Sequence, residues 1–164
     1  MPILSRRIIS RECGLTLIEV ILAMAILAVL ASAVIPMAEM SATRSKELEL
    51  RRALRDIRTA IDAYKDDFDR AVAEKKIIPA ISETGYPKEL EELVEGNDWK
   101  GLYPYKRKYL RRIPQDPFDE FDEGWGTRSY RDDPDSTFSS GEDIYDVFSQ
   151  STRYALDGTP YNTW

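Results

Sequence analysis

The sequence contains no histidine and a single cysteine, Cys13, among its 164 residues. These absences exclude Ser-His-Asp and Cys-His catalysis, histidine-ligated metals and zinc motifs built from paired cysteines. A disulfide within one chain is impossible for the same reason. Because no glycine-rich phosphate loop or nucleophile constellation is present either, the sequence favours a protein that is not an enzyme.

Acidic residues outnumber basic ones, and the basic ones are unevenly placed along the chain. The chain has 23 basic and 29 acidic residues, a net charge of -6 and a pI near 4.9. An acidic balance of this kind argues against general binding of nucleic acid. Arg6, Arg7 and Arg11 nevertheless lie close together before a long apolar run. We therefore expect an acidic, soluble body behind a short basic head.

Residues 15–38 form that apolar run, LTLIEVILAMAILAVLASAVIPMA, whose only charge is Glu19. As a helix, at roughly 1.5 Å per residue, it would extend about 36 Å, enough to cross a bilayer core. The alternative is a buried core helix, although soluble cores seldom contain so long an apolar segment. The preceding arginines predict a cytoplasmic N-terminus, so the C-terminal body would lie outside the cytoplasm.

Three residues interrupt this pattern and need an explanation. Gly14 separates the polar head from the apolar run, and Glu19 and Pro36 lie within the run. A carboxylate inside a membrane costs on the order of 2.5–3.5 kcal/mol, which makes Glu19 a functional candidate. Its alternative is a residue at headgroup level, near the cytoplasmic end of the span. Pro36 lacks an amide hydrogen, so the helix should kink or melt nearby.

The segment GLTLIEVILAMAILAVLASAVIP resembles the class III signal of type IV pilins and of the pseudopilins of type II secretion. In these proteins, prepilin peptidase cuts after the glycine and methylates the new amine. The resemblance implies a leader at 1–14, cleavage between Gly14 and Leu15, methylation of Leu15, and roles for Glu19 and Pro36 in assembly. Leu15 departs from the phenylalanine that is more usual at this position.

The body begins with a second helical pattern, from Ser41 to about Ala73. Its apolar residues recur at steps of four and three and form one stripe: Leu50, Leu54, Ile57, Ile61, Tyr64 and Phe68. This spacing predicts an amphipathic helix that continues the membrane helix and packs on a small sheet. A free coiled coil is the alternative.

Shorter elements follow. Pro87 and Gly96 bracket a predicted short helix in which Leu90, Leu93 and Val94 face inward. The aromatic-rich runs 128–131 and 144–149 are candidate strands.

Charge in the later body is segregated. Residues 100–112 contain a basic cluster interleaved with tyrosines: Lys100, Lys106, Arg107, Lys108, Arg111 and Arg112. Residues 116–135 contain an acidic stretch: Asp116, Asp119, Glu120, Asp122, Glu123, Asp132, Asp133 and Asp135. A nucleic-acid surface is disfavoured by the net charge. Either both runs are solvated, or they meet between neighbouring copies of the chain.

The motifs TGYPKELEEL, WKGLYPYKRKYL, IPQDPF and DIYDVFS, in this order, resemble the major, G-type pseudopilin. This resemblance implies an α+β fold, in which a long N-terminal helix, half membrane-spanning and half amphipathic, packs on a small antiparallel sheet. It divides the chain into a leader (1–14), a transmembrane and filament-core helix (15–38) and a periplasmic globular domain (39–164).

The function implied is that of a structural subunit of a periplasmic pseudopilus in type II protein secretion. Its partners would be further copies of itself, prepilin peptidase, minor pseudopilins, an inner-membrane assembly platform and, before assembly, the membrane. A surface type IV pilin and a minor pseudopilin are the alternatives.

A calcium ion is the one cofactor that the resemblance raises. The family binds it in a C-terminal loop through aspartates and backbone carbonyls. Aligned on Ser149, this chain has Arg153 where a ligand aspartate is expected, which leaves Asp157 as the candidate ligand. One carboxylate is few for an ion that takes six to eight oxygens.

Overall fold

The structure, a computed structural model, describes residues 14–80, 82–134, 136 and 138–164. The predicted leader, apart from Gly14, lies outside the described residues, as does Asp135 of the acidic stretch. The chain divides into two compact units, Met1–Ser41 and Ala42–Trp164.

The first helix, α1, comprises Leu17–Ala73 and contains Pro36 in its interior. The helix does not melt at Pro36, contrary to one of the two outcomes predicted for it. Proline removes a single hydrogen bond, the one that its own amide would donate to Ser32, while the neighbouring bonds remain. The alanine, methionine and glutamate residues in the turn that follows it, 37–40, are strong helix formers.

In the first unit, large apolar side chains of α1 are exposed along the whole apolar run, with Leu17 at 79%, Met24 at 66% and Val29 at 70%. Among the described residues of this unit, 14–41, the helix therefore forms without a tertiary core.

In the second unit, the predicted stripe of α1 is buried, which confirms it as a core face. Leu50, Ile57 and Ile61 are fully buried, and Leu54, Tyr64 and Phe68 are nearly so. The same core includes Leu93, Trp99, Phe118, Ile144, Val147 and Tyr161. Because these residues come from later in the chain, the stripe packs on the body rather than in a free coiled coil.

The remaining elements are short. They are helix α2 (Glu91–Glu95), strand β1 (Trp125–Arg128), strand β2 (Asp146–Ser149) and a final 3₁₀ turn (Tyr161–Thr163). The two strands form an antiparallel pair in which Trp125 lies opposite Ser149 and Arg128 opposite Asp146. The predicted α+β arrangement, a long N-terminal helix with a small antiparallel sheet, is confirmed.

The bounds of three predicted elements were wrong. Strand β2 begins at Asp146, two residues later than predicted. Strand β1 begins at Trp125 and ends at Arg128, whereas the predicted strand began at Arg128. The chain leaves the strand at Ser129, because the Ser129 amide donates a hydrogen bond to Asp132 Oδ2 at 2.8 Å and closes a turn. Helix α2 begins at Glu91 rather than directly after Pro87. The carbonyl of Pro87 instead accepts a hydrogen bond from the Ile144 amide at 2.7 Å. This bond holds residue 87 beside the segment that leads into β2.

Candidate functional site

The beginning of α1 is fixed by Thr16. The Thr16 carbonyl accepts hydrogen bonds from the amides of Glu19 (3.1 Å) and Val20 (3.2 Å). The Thr16 hydroxyl oxygen also accepts from the Glu19 amide, at 3.3 Å. A threonine followed three residues later by glutamate has the spacing of a capping box, which satisfies amides that a helix leaves open at its start. The T-x-x-E spacing predicts this capping role of Thr16, which was not among the sequence predictions above.

Gly14 and Leu15 precede the helix and are both exposed. A Cβ added to Gly14 would meet no atom within 4 Å, and its backbone is not in the left-handed region that favours glycine. Among the described residues, packing therefore gives no reason for glycine at this position. A requirement for glycine would have to come from a partner that approaches the backbone closely.

Glu19 lies in the first turn of α1, with an exposed side chain. A carboxylate here is favoured by the partial positive charge at a helix N-terminus. Among the described residues, no lysine or arginine lies within ion-pair distance of it. The Glu19 carboxylate is thus available to a cation from outside the described chain.

The apolar surface around these residues is large. Within the described part of the chain, one helix, α1, is long and apolar enough to cross a membrane, and none of its apolar window is buried. Burying a leucine or isoleucine side chain contributes about 1.5–3 kcal/mol. This helix therefore has a strong tendency to enter lipid or to pack against other apolar helices.

Comparison with known proteins gives this site a class. Residues 9–35 match the family described as the prokaryotic N-terminal methylation motif. The match includes Gly14, Leu15 and Glu19 and ends one residue before Pro36. The chain thus carries the signal of type IV pilin-like prepilins, which marks it as a prepilin-peptidase substrate, and the long apolar helix is consistent with membrane anchoring. Comparisons with curated proteins and with solved structures found no match.

Asp157, the candidate calcium ligand, lies in the second unit. Its Oδ1 accepts hydrogen bonds from the Thr159 hydroxyl (2.6 Å) and amide (2.9 Å), which lower the pKa of the Asp157 carboxyl. Its Oδ2 lies 3.9 Å from the guanidinium of Arg51. In the described ranges, no group of three or more acidic, cysteine or histidine side chains could hold a metal ion. One carboxylate beside a guanidinium is a poor match to calcium. Calcium binding stays a prediction without support from this geometry.

The basic cluster contributes to an internal site that the sequence analysis did not predict. Asp67 on α1 is only 1% exposed. Its Oδ1 accepts from Tyr103 Oη (2.8 Å) and Arg107 Nη1 (2.9 Å), and its Oδ2 accepts from Tyr109 Oη (2.7 Å). Burial raises the pKa of Tyr109; a hydrogen bond from Trp99 opposes this shift and the bond to Asp67 adds to it. These side chains hold the 97–110 segment against α1 and are not free for a ligand.

Proposed function

We propose that this chain is a non-enzymatic structural subunit of a periplasmic pseudopilus in type II protein secretion. The observation that carries the proposal is the methylation motif on the apolar run of α1, none of whose apolar window is buried in the described part of the chain. A signal for processing and an apolar run with no buried face among the described residues together suit a subunit stored in a membrane and then packed into a filament. The periplasmic location of the body follows from Arg6, Arg7 and Arg11, which favour a cytoplasmic N-terminus.

Maturation would cut the bond between Gly14 and Leu15 and methylate the new amine of Leu15. Both residues precede α1, so a peptidase can reach this bond without unwinding the helix. The cut places a positive amine near a helix N-terminus, where the partial charge is also positive. In the apolar core of a filament, such a charge is costly unless it is paired.

Glu19 of a neighbouring subunit is the partner that we propose for this amine. Its carboxylate is exposed and has no ion pair among the described residues of its own chain. Because an unpaired charge is costly in an apolar bundle, the pairing would select one axial register between subunits. Pro36 would allow the bundled helix to adjust its curvature, since it removes one backbone hydrogen bond.

Two features support type II secretion over a surface pilus. The body motifs are similar to those of the G-type pseudopilin, and the single cysteine precludes the C-terminal disulfide found in many type IV pilins. Minor pseudopilins and an inner-membrane assembly platform are the further partners proposed.

The test uses the full chain, expressed with prepilin peptidase and a type II secretion apparatus that lacks its own major pseudopilin. Gly14→Leu should leave an unprocessed band in the membrane, whereas the parent should have a mature mass that begins at methylated Leu15. Glu19→Ala should be inserted and cleaved but should form few filaments. Glu39→Ala, also an exposed glutamate of α1 in the first unit, is the matched control and should assemble like the parent.

Three outcomes would contradict the proposal. A normal mature mass from Gly14→Leu would refute the cleavage site, and an unchanged filament yield from Glu19→Ala would remove Glu19 from assembly. Surface filaments from the parent, with no restored secretion, would favour a type IV pilin instead.

A further inference from the structure

The second unit has an exposed aromatic side chain that its own core does not explain. Phe121 is 82% exposed, and it lies in the loop Asp119–Glu123, whose other four residues are all acidic. We call this segment the acidic loop. A phenylalanine at this position lacks the favourable free energy that burial would give its side chain.

The acidic loop has a fixed backbone. Asp119 Oδ1 accepts hydrogen bonds from the amides of Phe121 (3.1 Å) and Glu123 (3.2 Å), and Asp119 Oδ2 accepts from Gly124 (2.8 Å). These amide bonds, that of Gly124 foremost, lower the pKa of Asp119, so the carboxylate stays charged at neutral pH. Phe121 is thus presented on an ordered loop, and less conformational entropy is lost when it binds a partner.

A groove in the same unit has the complementary character. It has a volume of about 940 Å³ and lies between α1 and residues 107–115. Its α1 side includes the small residues Ala53, Ala60 and Ala63, and its other side includes Leu110 and Ile113. Small side chains on one wall leave room for a large one from a partner.

The charges of the groove are mainly positive. Five basic residues line it, against the two acids Glu49 and Asp56: Arg52, Arg107, Lys108, Arg111 and Arg112. Arg107 is engaged by Asp67 at 2.9 Å. Arg111 and Arg112 are exposed and have no ion pair within the described ranges. They are therefore open to an acidic partner.

We propose that the acidic loop of one copy of the chain docks in this groove of a second copy. Phe121 would pack against the alanine wall, and Asp122 and Glu123 would face Arg111 and Arg112. The guanidinium groups can also contact the face of the phenyl ring. This inference rests on the proposed function, because it needs a chain that polymerises.

Charge complementarity is the reason for choosing a second copy as the occupant. The loop and the groove carry opposite charges, and both belong to the same unit. When the loop of one copy enters the groove of the next in one direction only, the contact is head-to-tail, and each end of the assembly keeps one unused loop or groove for a further copy. Exposed ion pairs contribute little to affinity, so the buried phenyl ring would supply most of it.

Crosslinking between two differently tagged full-length chains tests the contact directly. One chain carries Phe121→Cys and the other carries Thr59→Cys, an exposed position that lines the groove. Both carry Cys13→Ser, so each has one thiol. A short bismaleimide should join the two tags during filament assembly. Thr152→Cys, an exposed threonine that does not line the groove, is the matched control and should give at least about fivefold less product.

Substitutions give a second, independent readout. Phe121→Ala should lower filament yield about tenfold, whereas Phe138→Ala, at a phenylalanine that is 80% exposed, should leave it unchanged. Arg111→Glu with Arg112→Glu should also lower the yield, and adding Asp122→Arg with Glu123→Arg should partly restore it.

The parent chain separates the two proposals. If the parent forms no filaments, the proposed function fails. If the parent assembles but the Phe121 and Thr59 positions crosslink no better than the control pair, the docking contact is wrong. Equal filament yields from the parent and Phe121→Ala would also overturn it, as would a cysteine at 121 that crosslinks only to another protein.

Discussion

Helix α1 contains two regions with opposite relations to the rest of the chain. In residues 17–41, the apolar side chains are nearly continuous, and the large ones are exposed. In residues 42–73, apolar side chains recur every three or four positions, and their stripe is buried in the body. The arrangement of apolar residues along a helix therefore determines what its apolar surface packs against. An apolar stripe can be buried against the rest of its own chain, whereas a continuous apolar surface has to be covered by lipid or by other protein chains.

Matched isoleucine substitutions in the two regions should give the largest difference in stability. Ile57→Ala, at a fully buried position, should lower the free energy of unfolding of the body by about 2–5 kcal/mol, because it leaves a cavity. Ile26→Ala, at a side chain that is 53% exposed, should leave it unchanged. Thermal or denaturant unfolding of the full chain in detergent micelles measures both. A similar loss from both variants would mean that the two regions share one core.

The buried carboxylate offers the next largest effect. Asp67→Asn should destabilise the body by about 1–3 kcal/mol, because it weakens bonds to three donors at a buried site. Asp66→Asn changes the adjacent, exposed aspartate and should have almost no effect. Denaturant unfolding at neutral pH provides the comparison. Equal stability of the two variants would show that Asp67 does not hold the 97–110 segment.

Alkaline pH should act on the body through its buried tyrosines. Burial, together with the hydrogen bond to Glu47, raises the pKa of Tyr161 from its usual 10.0 to about 12. The folded state therefore holds this proton more tightly than the unfolded state. Its stabilising effect is complete below pH 10 and is lost as the pH rises from 10 to 12.

Tyr161→Phe should make the loss of stability over this pH range less steep, and Tyr154→Phe, at a side chain that is 70% exposed, should not. Circular dichroism against pH, with tyrosinate absorbance as the titration monitor, gives the result. Identical slopes for all three proteins would contradict this assignment.

The smallest effect is expected at the start of α1. Thr16→Val removes the hydroxyl that caps the helix, so its first turn should lose about 0.5–2 kcal/mol of local stability. Amide hydrogen exchange of Glu19 and Val20, whose amides donate to Thr16, should become faster in micelles. Thr16→Ser keeps the hydroxyl and should exchange like the parent. If valine and serine behave alike, the cap does not stabilise this turn.

Sequence periodicity predicted helix α1 and its buried face well, but it predicted the bounds of the short elements poorly. The Leu50-to-Phe68 stripe was evident because burial on one side of a helix requires that spacing. The start of β1 was missed because Gly126 is a weak strand signal. In the fold, a Cβ at Gly126 would lie 2.4 Å from the Phe148 ring, so glycine is required by a contact that no local pattern reveals.

The Asp67 site could not be predicted for a similar reason. On the helix, Asp67 is one of many charged residues, and its three partners come from residues 103–109. Only the tertiary fold brings them together. The Gly14-to-Glu19 signal was recognisable because its residues are neighbours in sequence and lie within one linear motif, which the family match at residues 9–35 includes.

The cap at Thr16 has a consequence for how a precursor would become a subunit. Thr16 and Glu19 both lie after the proposed cut, and the bonds between them involve no residue of the leader. Maturation would therefore leave the hydrogen bonds in the first turn of α1 unchanged. It would change only the group before this turn, where a peptide bond would be replaced by the amine of Leu15. The helix would not have to refold or nucleate a second time after the cut. Under the proposed function, the event that commits the molecule to assembly would then be a change in electrostatics and not in conformation.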